Sequence, residues 1–321
     1  MEDSIERFAK QFTFVPEVIN GDQLPVSRSF VLGGMGGSHL AGGLITLFDE
    51  TVDMYIWRDY GVPSLSLVRA RESLYIASSY SGNTEEALDF LETAHKAGQH
   101  VAVVTTGGRL LAYAQKYSLP HVVLPDTHIQ PRLAIGFSLL AISYLIGHKD
   151  IIVALPKLAN TLKPARIRKE GYALAQTLDG QIPVIYTSRR NLALAYNWKI
   201  KFNETGKIPA FFNVFPELNH NEMTGFDVGD SARQLSERMH VIMLVDQHDD
   251  QRIARRMHVA SELFEDRGLP VTTLHLHGET SFVRVFNSLI LADWTAFALA
   301  EHYKVEPEGV PMIEEFKHLI Q

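Results

Sequence analysis

The chain has 321 residues, 46% of them hydrophobic, which is length and apolar content enough for two packed cores. Cysteine is absent, so disulfides, thiolate metal sites and a cysteine nucleophile are excluded, in keeping with a reducing, cytoplasmic setting. A formal net charge of −7 without a basic tract argues against nucleic acid as a partner, and the absence of an apolar run of spanning length argues against a membrane.

In chain order, residues 5–19 read as a leading amphipathic helix, and Ser29-Phe30-Val31-Leu32 as a strand that empties into Gly33-Gly34-Met35-Gly36-Gly37-Ser38. Glycines there, Gly36 and Gly37 among them, let the backbone approach a ligand closely or let a helix pack tightly on a sheet. The dinucleotide fingerprint fails at this loop, because its third glycine position is His39 and Asp53 falls at the start of the next strand rather than its end. Lacking Gly-Lys-Ser/Thr, it is not a Walker A loop either. No cofactor is indicated.

A strand over 52–57 precedes a second strand, Ser73-Leu74-Tyr75-Ile76-Ala77, and then the turn Ser78-Ser79-Tyr80-Ser81-Gly82-Asn83-Thr84-Glu85-Glu86. After it, Ala87, Leu88, Leu91 and Ala94 recur at helical spacing up to Gly98. Where a strand feeds a helix in this way, the first N–H groups of the helix point outward with the positive end of its dipole. With Ser79, Ser81 and Thr84 adding hydroxyl donors, the turn reads as an anion site that needs no cation, in preference to an ordinary capped helix, for which fewer such residues would serve. Asn83 is a candidate N-cap, Glu86 its N3 partner.

Strands over 100–105 and 121–124 alternate with helices over 110–117 and 132–146, which predicts a doubly wound parallel sheet. Pro131 suits a first-turn position and puts Arg132 at a helix start; on its own, Arg132 is equally well read as a solvated surface cation. A linker and a long helix over 151–178 then lead to a second alternating series, with strands over 182–186, 241–245 and 271–276. The expected division is 1–150 and 151–321, two α/β domains of similar plan. Leu192, Ala195, Trp198 and Phe202 space as the core face of a helix that Phe202-Asn203-Glu204-Thr205-Gly206-Lys207 ends, with Gly206 as its C-cap. Phe215-Pro216-Glu217-Leu218-Asn219-His220-Asn221-Glu222 reads as the start of another helix. Taken singly, Glu204 is a solvated glutamate and His220 a surface histidine. His275 and His277 share a strand face without a third ligand, and His220-Asn221-Glu222 lacks the His-Glu-x-x-His spacing, so no metal is indicated.

Ser-Tyr-Ser-Gly-Asn-Thr-Glu-Glu resembles the phosphosugar loop of the sugar isomerase (SIS) domain superfamily. Gly-Met-Gly-Gly-Ser, Phe-Asn-Glu-x-x-Lys, Pro-Glu-x-x-His-Asn and Lys317 in a C-terminal helix resemble one branch of it, the bifunctional phosphoglucose/phosphomannose isomerases. Departures stand at His39, Thr205 and Gly206. The resemblance implies two SIS-type domains with a C-terminal helix, a sugar phosphate bound by Ser38, Ser79, Ser81 and Thr84, a stabilising role for Arg132, and a homodimer in which His220 reaches the neighbouring subunit's site. It further implies that position 310, commonly threonine in the branch and Val310 here, bears on whether mannose is accepted.

The chemistry asks for these residue types. Interconverting an aldose and a ketose moves a proton between C1 and C2 through a cis-enediol, which one carboxylate can serve; Glu204 is the candidate. Opening the sugar ring needs a second acid and base, for which His220 leads with Lys317 assisting, and the enediolate needs a fixed cation, which Arg132 can supply. Two other classes stand beside the isomerase: a non-catalytic sugar-phosphate sensor, and an amino-sugar phosphate isomerase or deaminase.

Overall fold

The structure is a computed structural model that describes residues 1–227, 229 and 232–320. It divides into two compact units, residues 7–162 and residues 1–6 with 163–321. The division falls between Leu162 and Lys163, beyond the 150/151 boundary expected from sequence.

The opening stretch does not form the long helix expected over 5–19. Helix α1 spans Glu2–Glu6, a 3-10 turn covers Phe8–Thr13, and the chain runs on to Ile19, which bridges antiparallel to His121. Pro16 disfavours helical backbone at the residue before it, so the turn cannot be prolonged through this point. Phe8 and Phe12 are buried all the same.

The first unit holds β1 (Ser29–Gly33), α2 (Leu40–Phe48), β2 (Asp53–Trp57), α3 (Leu67–Glu72), β3 (Ser73–Ser78), α4 (Glu85–Lys96), β4 (His100–Thr105), α5 (Gly108–Lys116), β5 (His121–Val123), α6 (Ile135–Leu145), α7 (Lys149–Ala154) and α8 (Leu158–Thr161). Its strands pair in parallel in the order β2-β1-β3-β4-β5. Strands β1 and β3 are buried along their whole length while the edge strand β2 is half exposed, as expected of a sheet covered on both faces. Helix α6 is apolar nearly all round and sits in the core. Within the stretch 151–178, expected as a linker followed by a long helix, the first part is a series of short helical turns with Leu155, Leu158 and Leu162 buried.

The second unit continues with α9 (Pro164–Thr177), β6 (Ile182–Ser188), α10 (Leu192–Glu204), β7 (Phe211–Phe215), β8 (Met239–Val245), α11 (Gln251–Asp266), β9 (Val271–His275), α12 (Ser281–His302) and α13 (Pro311–Leu319). These strands are also parallel, ordered β7-β6-β8-β9. Helix α12 is long and apolar enough to cross a membrane by length and composition, contrary to expectation, but 83% of its apolar window is buried, the pattern of a core helix. It packs against α9 at Gly171, where an added Cβ would lie 2.4 Å from Trp294 Cβ, so glycine is required for that approach. Lys201 of α10 and Asp293 of α12 form a fully buried ion pair.

Candidate active site

In the first sheet the strand order turns back between β1 and β3, and the loops that leave those strands meet there. The hydroxyl of Ser38 accepts the Tyr80 N–H at 3.0 Å, and the Ser78 hydroxyl donates to the Ser38 carbonyl at 2.8 Å. Gly34 and Gly37 allow the contact: a Cβ would lie 2.6 Å from the Ser78 carbonyl oxygen in one case and 2.6 Å from the Pro131 carbonyl carbon in the other. Gly36, at φ +52, takes the left-handed backbone that favours glycine. Ser38, Ser79, Gly37 and Arg132 are thereby gathered at one end of the sheet.

Ser79 is buried; its hydroxyl lies 2.8 Å from that of Thr84 and accepts the Gly82 N–H at 3.1 Å. Thr84, not Asn83, is the N-cap of α4, and its side chain makes no cap hydrogen bond. Asn83 instead accepts the Arg109 N–H at 3.1 Å, which ties the turn to the start of α5. The Ser81 side chain is exposed and Thr84 half exposed. The first turn of α4 presents N–H groups that have no partner within the helix, so hydroxyls and amides together suit a phosphate.

Arg132 is not a solvated cation, because only 1% of it is exposed. It lies on a 3-10 turn, Pro131–Leu133, that leads into α6, and it donates to Gln130 at 3.4 Å. Sequence reasoning missed what holds that turn: the buried Gln11 amide donates to the Leu133 carbonyl at 2.7 Å and accepts the Gly136 N–H at 3.0 Å. The available signal was a polar residue at helical spacing from Phe8 and next to Phe12. His39, next to Ser38, is 4% exposed. Burial, and secondly the charge of Arg58, lowers its pKa to about 4, so it is neutral at neutral pH.

In the other unit, Glu204 is the last residue of α10 and half buried. Thr205, not Gly206, is the C-cap, and the left-handed residue is Lys207 at φ +54. His220 does not open a helix. It ends a 3-10 turn, Glu217–His220, that follows a strand unforeseen in the sequence, β7, and it is exposed. A second 3-10 turn, Glu222–Phe226, is anchored by its first residue: the Glu222 carboxylate accepts from the Tyr186 hydroxyl at 2.5 Å and from the Asn213 amide. Burial first, then Glu222, pushes the Tyr186 pKa far up, so the phenol stays protonated as donor. Val310 is the N-cap residue of α13, and Lys317 lies exposed on that helix, 2.8 Å from Glu314. His275 and His277 are exposed.

A doubly wound sheet with a hydroxyl-lined turn at its point of reversal, followed by a second sheet of the same plan, defines an α/β protein of the SIS class. The family described as the bacterial phospho-glucose isomerase C-terminal SIS domain matches residues 167–320. A hypothetical protein of Thermus thermophilus has the same fold, with a TM-score of 0.71 and 21% identity over 99% of this chain and 87% of that one. Among the relatives, a bifunctional phosphoglucose/phosphomannose isomerase of Thermoplasma volcanium is 32% identical over 308 residues, covering 92% of this chain and 95% of its own. Another, of Caldicellulosiruptor bescii, is 31% identical over 305 residues, 90% of this chain and 88% of its own. The chain belongs to the bifunctional phosphoglucose/phosphomannose isomerase family.

Proposed function

We propose that the protein interconverts glucose 6-phosphate, and mannose 6-phosphate, with fructose 6-phosphate through a cis-enediol, in the cytoplasm and without a cofactor. The unit of residues 7–162 holds the phosphate on Ser38, Ser79, Ser81 and Thr84 and on the backbone around Gly36 and Gly37. This anchoring takes no part in bond making but uses binding energy to position the reacting carbons. The other unit supplies proton transfer. Glu204 carries the proton between C1 and C2, while His220, assisted by Lys317, moves one between the ring oxygen and O1 to open the sugar. Arg132 offsets the charge of the enediolate, a task suited to a cation already held in a buried place.

The observation that carries this reading is the donor-rich turn at the reversal of the first sheet, found in a chain whose relatives are named for sugar-phosphate isomerisation. The exposure of both His220 and Lys317 on the single chain supports a homodimer in which a second subunit completes their surroundings. Replacing Glu204 with Gln keeps shape but removes the proton acceptor, so kcat is expected to fall about 100- to 10,000-fold with KM little changed. The assay couples fructose 6-phosphate consumption to glucose 6-phosphate formation; wild-type turnover by Glu204→Gln would defeat the assignment. Mixing inactive Glu204→Gln with inactive His220→Ala tests the shared site. Activity should return as subunits exchange, and no recovery after demonstrated exchange would exclude it.

A further inference from the structure

Lys207 follows the end of α10 in left-handed backbone, at φ +54, a conformation that a residue with a Cβ keeps only where its surroundings hold it. Its side chain folds back so that the ammonium donates to two carbonyl oxygens at once. One belongs to Glu204, in the last helical turn, whose carbonyls have no partner within the helix. The other belongs to Gly309, which directly precedes Val310, the residue from which α13 starts. A single cation thus joins the end of the helix that carries Glu204 to the root of the helix that carries Lys317.

The root is secured from its other side as well. The Glu306 carboxylate accepts the N–H groups of Glu308, at 2.8 Å, and of Gly309, and the N-terminal ammonium pairs with Glu308. Past the root the picture changes, since every residue of α13 is exposed, including Phe316 at 59% and Leu319 at 78%. Within the single chain, a helix without buried side chains takes its direction from where it begins. The side chain of Lys207 is therefore a direct link through which the place of Lys317 and Val310 depends on the place of Glu204.

We propose that Lys207 is a positioning residue of the isomerase: it touches no reacting atom, but holds the root of α13 against the end of α10 so that Glu204, Val310 and Lys317 keep a fixed arrangement. The proposal rests on the roles given to those residues under Proposed function. Misplacement by about an ångström can lower a rate by about 100-fold. Lys207→Met, which keeps the aliphatic stem and deletes the donors, should reduce kcat by about 10- to 100-fold while KM for fructose 6-phosphate and inhibition by inorganic phosphate stay within about two-fold, because the phosphate is held elsewhere.

Two further readouts separate positioning from mere support. Amide hydrogen exchange over residues 308–316 should accelerate in Lys207→Met, and the ratio of mannose 6-phosphate to glucose 6-phosphate turnover should shift, since Val310 adjoins the released carbonyl. Lys207→Arg, which retains donors, should recover most of kcat. Wild-type kcat in Lys207→Met overturns the proposal, and so does a lowered kcat with unchanged exchange. If Lys207→Met does not fold, Glu306→Gln loosens the same root from its other side and must lower kcat with KM held; a normal kcat there is equally fatal. Normal turnover by Glu204→Gln defeats the functional reading. An inactive Glu204→Gln beside a fully active Lys207→Met defeats this inference alone.

Discussion

Each sheet turns back on itself between its first and third strands, β1 and β3 in one unit, β6 and β8 in the other, and an open α/β sheet offers a ligand crevice at that place. The loops there carry opposite chemistry. In the first sheet they bring Ser38, Ser79, Ser81 and Thr84 to the start of α4 with Arg132 buried beside Gly37. In the second, the loop after the third strand is Asp246-Gln247-His248-Asp249-Asp250, and its acids consume the donors of the neighbouring loop. Asp249 accepts from Ser188 at 2.6 Å, from Asn191 at 3.3 Å and from the Asp246 N–H at 3.3 Å, while Arg284 stands 3.4 Å from Asp246. Asp250 caps α11 through the Arg252 N–H at 2.8 Å. The same topology thus gives one crevice whose donors suit an anion and one already neutralised by the protein's own carboxylates. Sheet order decides where a ligand can bind, and loop chemistry decides whether it does.

Acid separates the two crevices most strongly, because their buried groups titrate in opposite senses. His39 has a pKa of about 4 in the fold against about 6.5 unfolded, so between these values the unfolded chain binds more protons and stability falls as pH falls. The loss by pH 4 is about 3 kcal/mol. Burial raises the Asp249 pKa, so the native state takes up that proton first, and acid favours the fold at this loop. Urea denaturation between pH 7 and 4 should therefore show a flatter acid limb in His39→Gln and a steeper one in Asp249→Asn. Parallel limbs in all three proteins would remove the contrast.

Substitution at the loops separates binding from stability. On the proposed phosphate site, Thr84→Ala removes a neutral donor to a dianion and should weaken phosphate and raise KM by about 1.5–3 kcal/mol, roughly 10- to 150-fold, with little change in Tm. Asp249→Ala should do the reverse, lowering stability by about 1–3 kcal/mol as Ser188 and Asn191 lose their buried acceptor, while KM for fructose 6-phosphate holds. Calorimetry and steady-state kinetics on the pair decide it; a raised KM in Asp249→Ala would make the second crevice part of the site.

Much of this was legible beforehand, and the misses have physical causes. The strands and loops of the first crevice stand out because short buried strands between glycine-rich and hydroxyl-rich turns depend on neighbours in sequence. Helix boundaries failed where distant partners decide. Asn83 looked like the cap until Arg109 claimed its oxygen, and Gly206 looked like the C-cap until Lys207 took the left-handed position with Gly309 as a partner. Strand β7 was hidden because Phe211-Phe212-Asn213-Val214-Phe215 follows a proline and shows no alternation, its place being set by pairing with β6. The burial of Arg132 and the pairing of Ser188 with Asp249 join segments far apart in the chain, so local pattern could not reveal them.

The smallest expected effect leaves both crevices alone. Val310→Thr adds one hydroxyl at the start of α13, worth about 0.5–1.5 kcal/mol, and should raise the ratio of mannose 6-phosphate to glucose 6-phosphate kcat/KM by about 2- to 13-fold without altering phosphate affinity. An unchanged ratio would clear Val310 of any part in sugar choice.

The most direct measurement is a titration of the protein with inorganic phosphate followed by amide NMR shifts residue by residue. Saturable shifts are expected at Ser38 and over residues 79–87, one phosphate per chain, with residues 188–191 and 246–250 unmoved. Saturable shifts centred on the second crevice, or none at the first, would contradict the account.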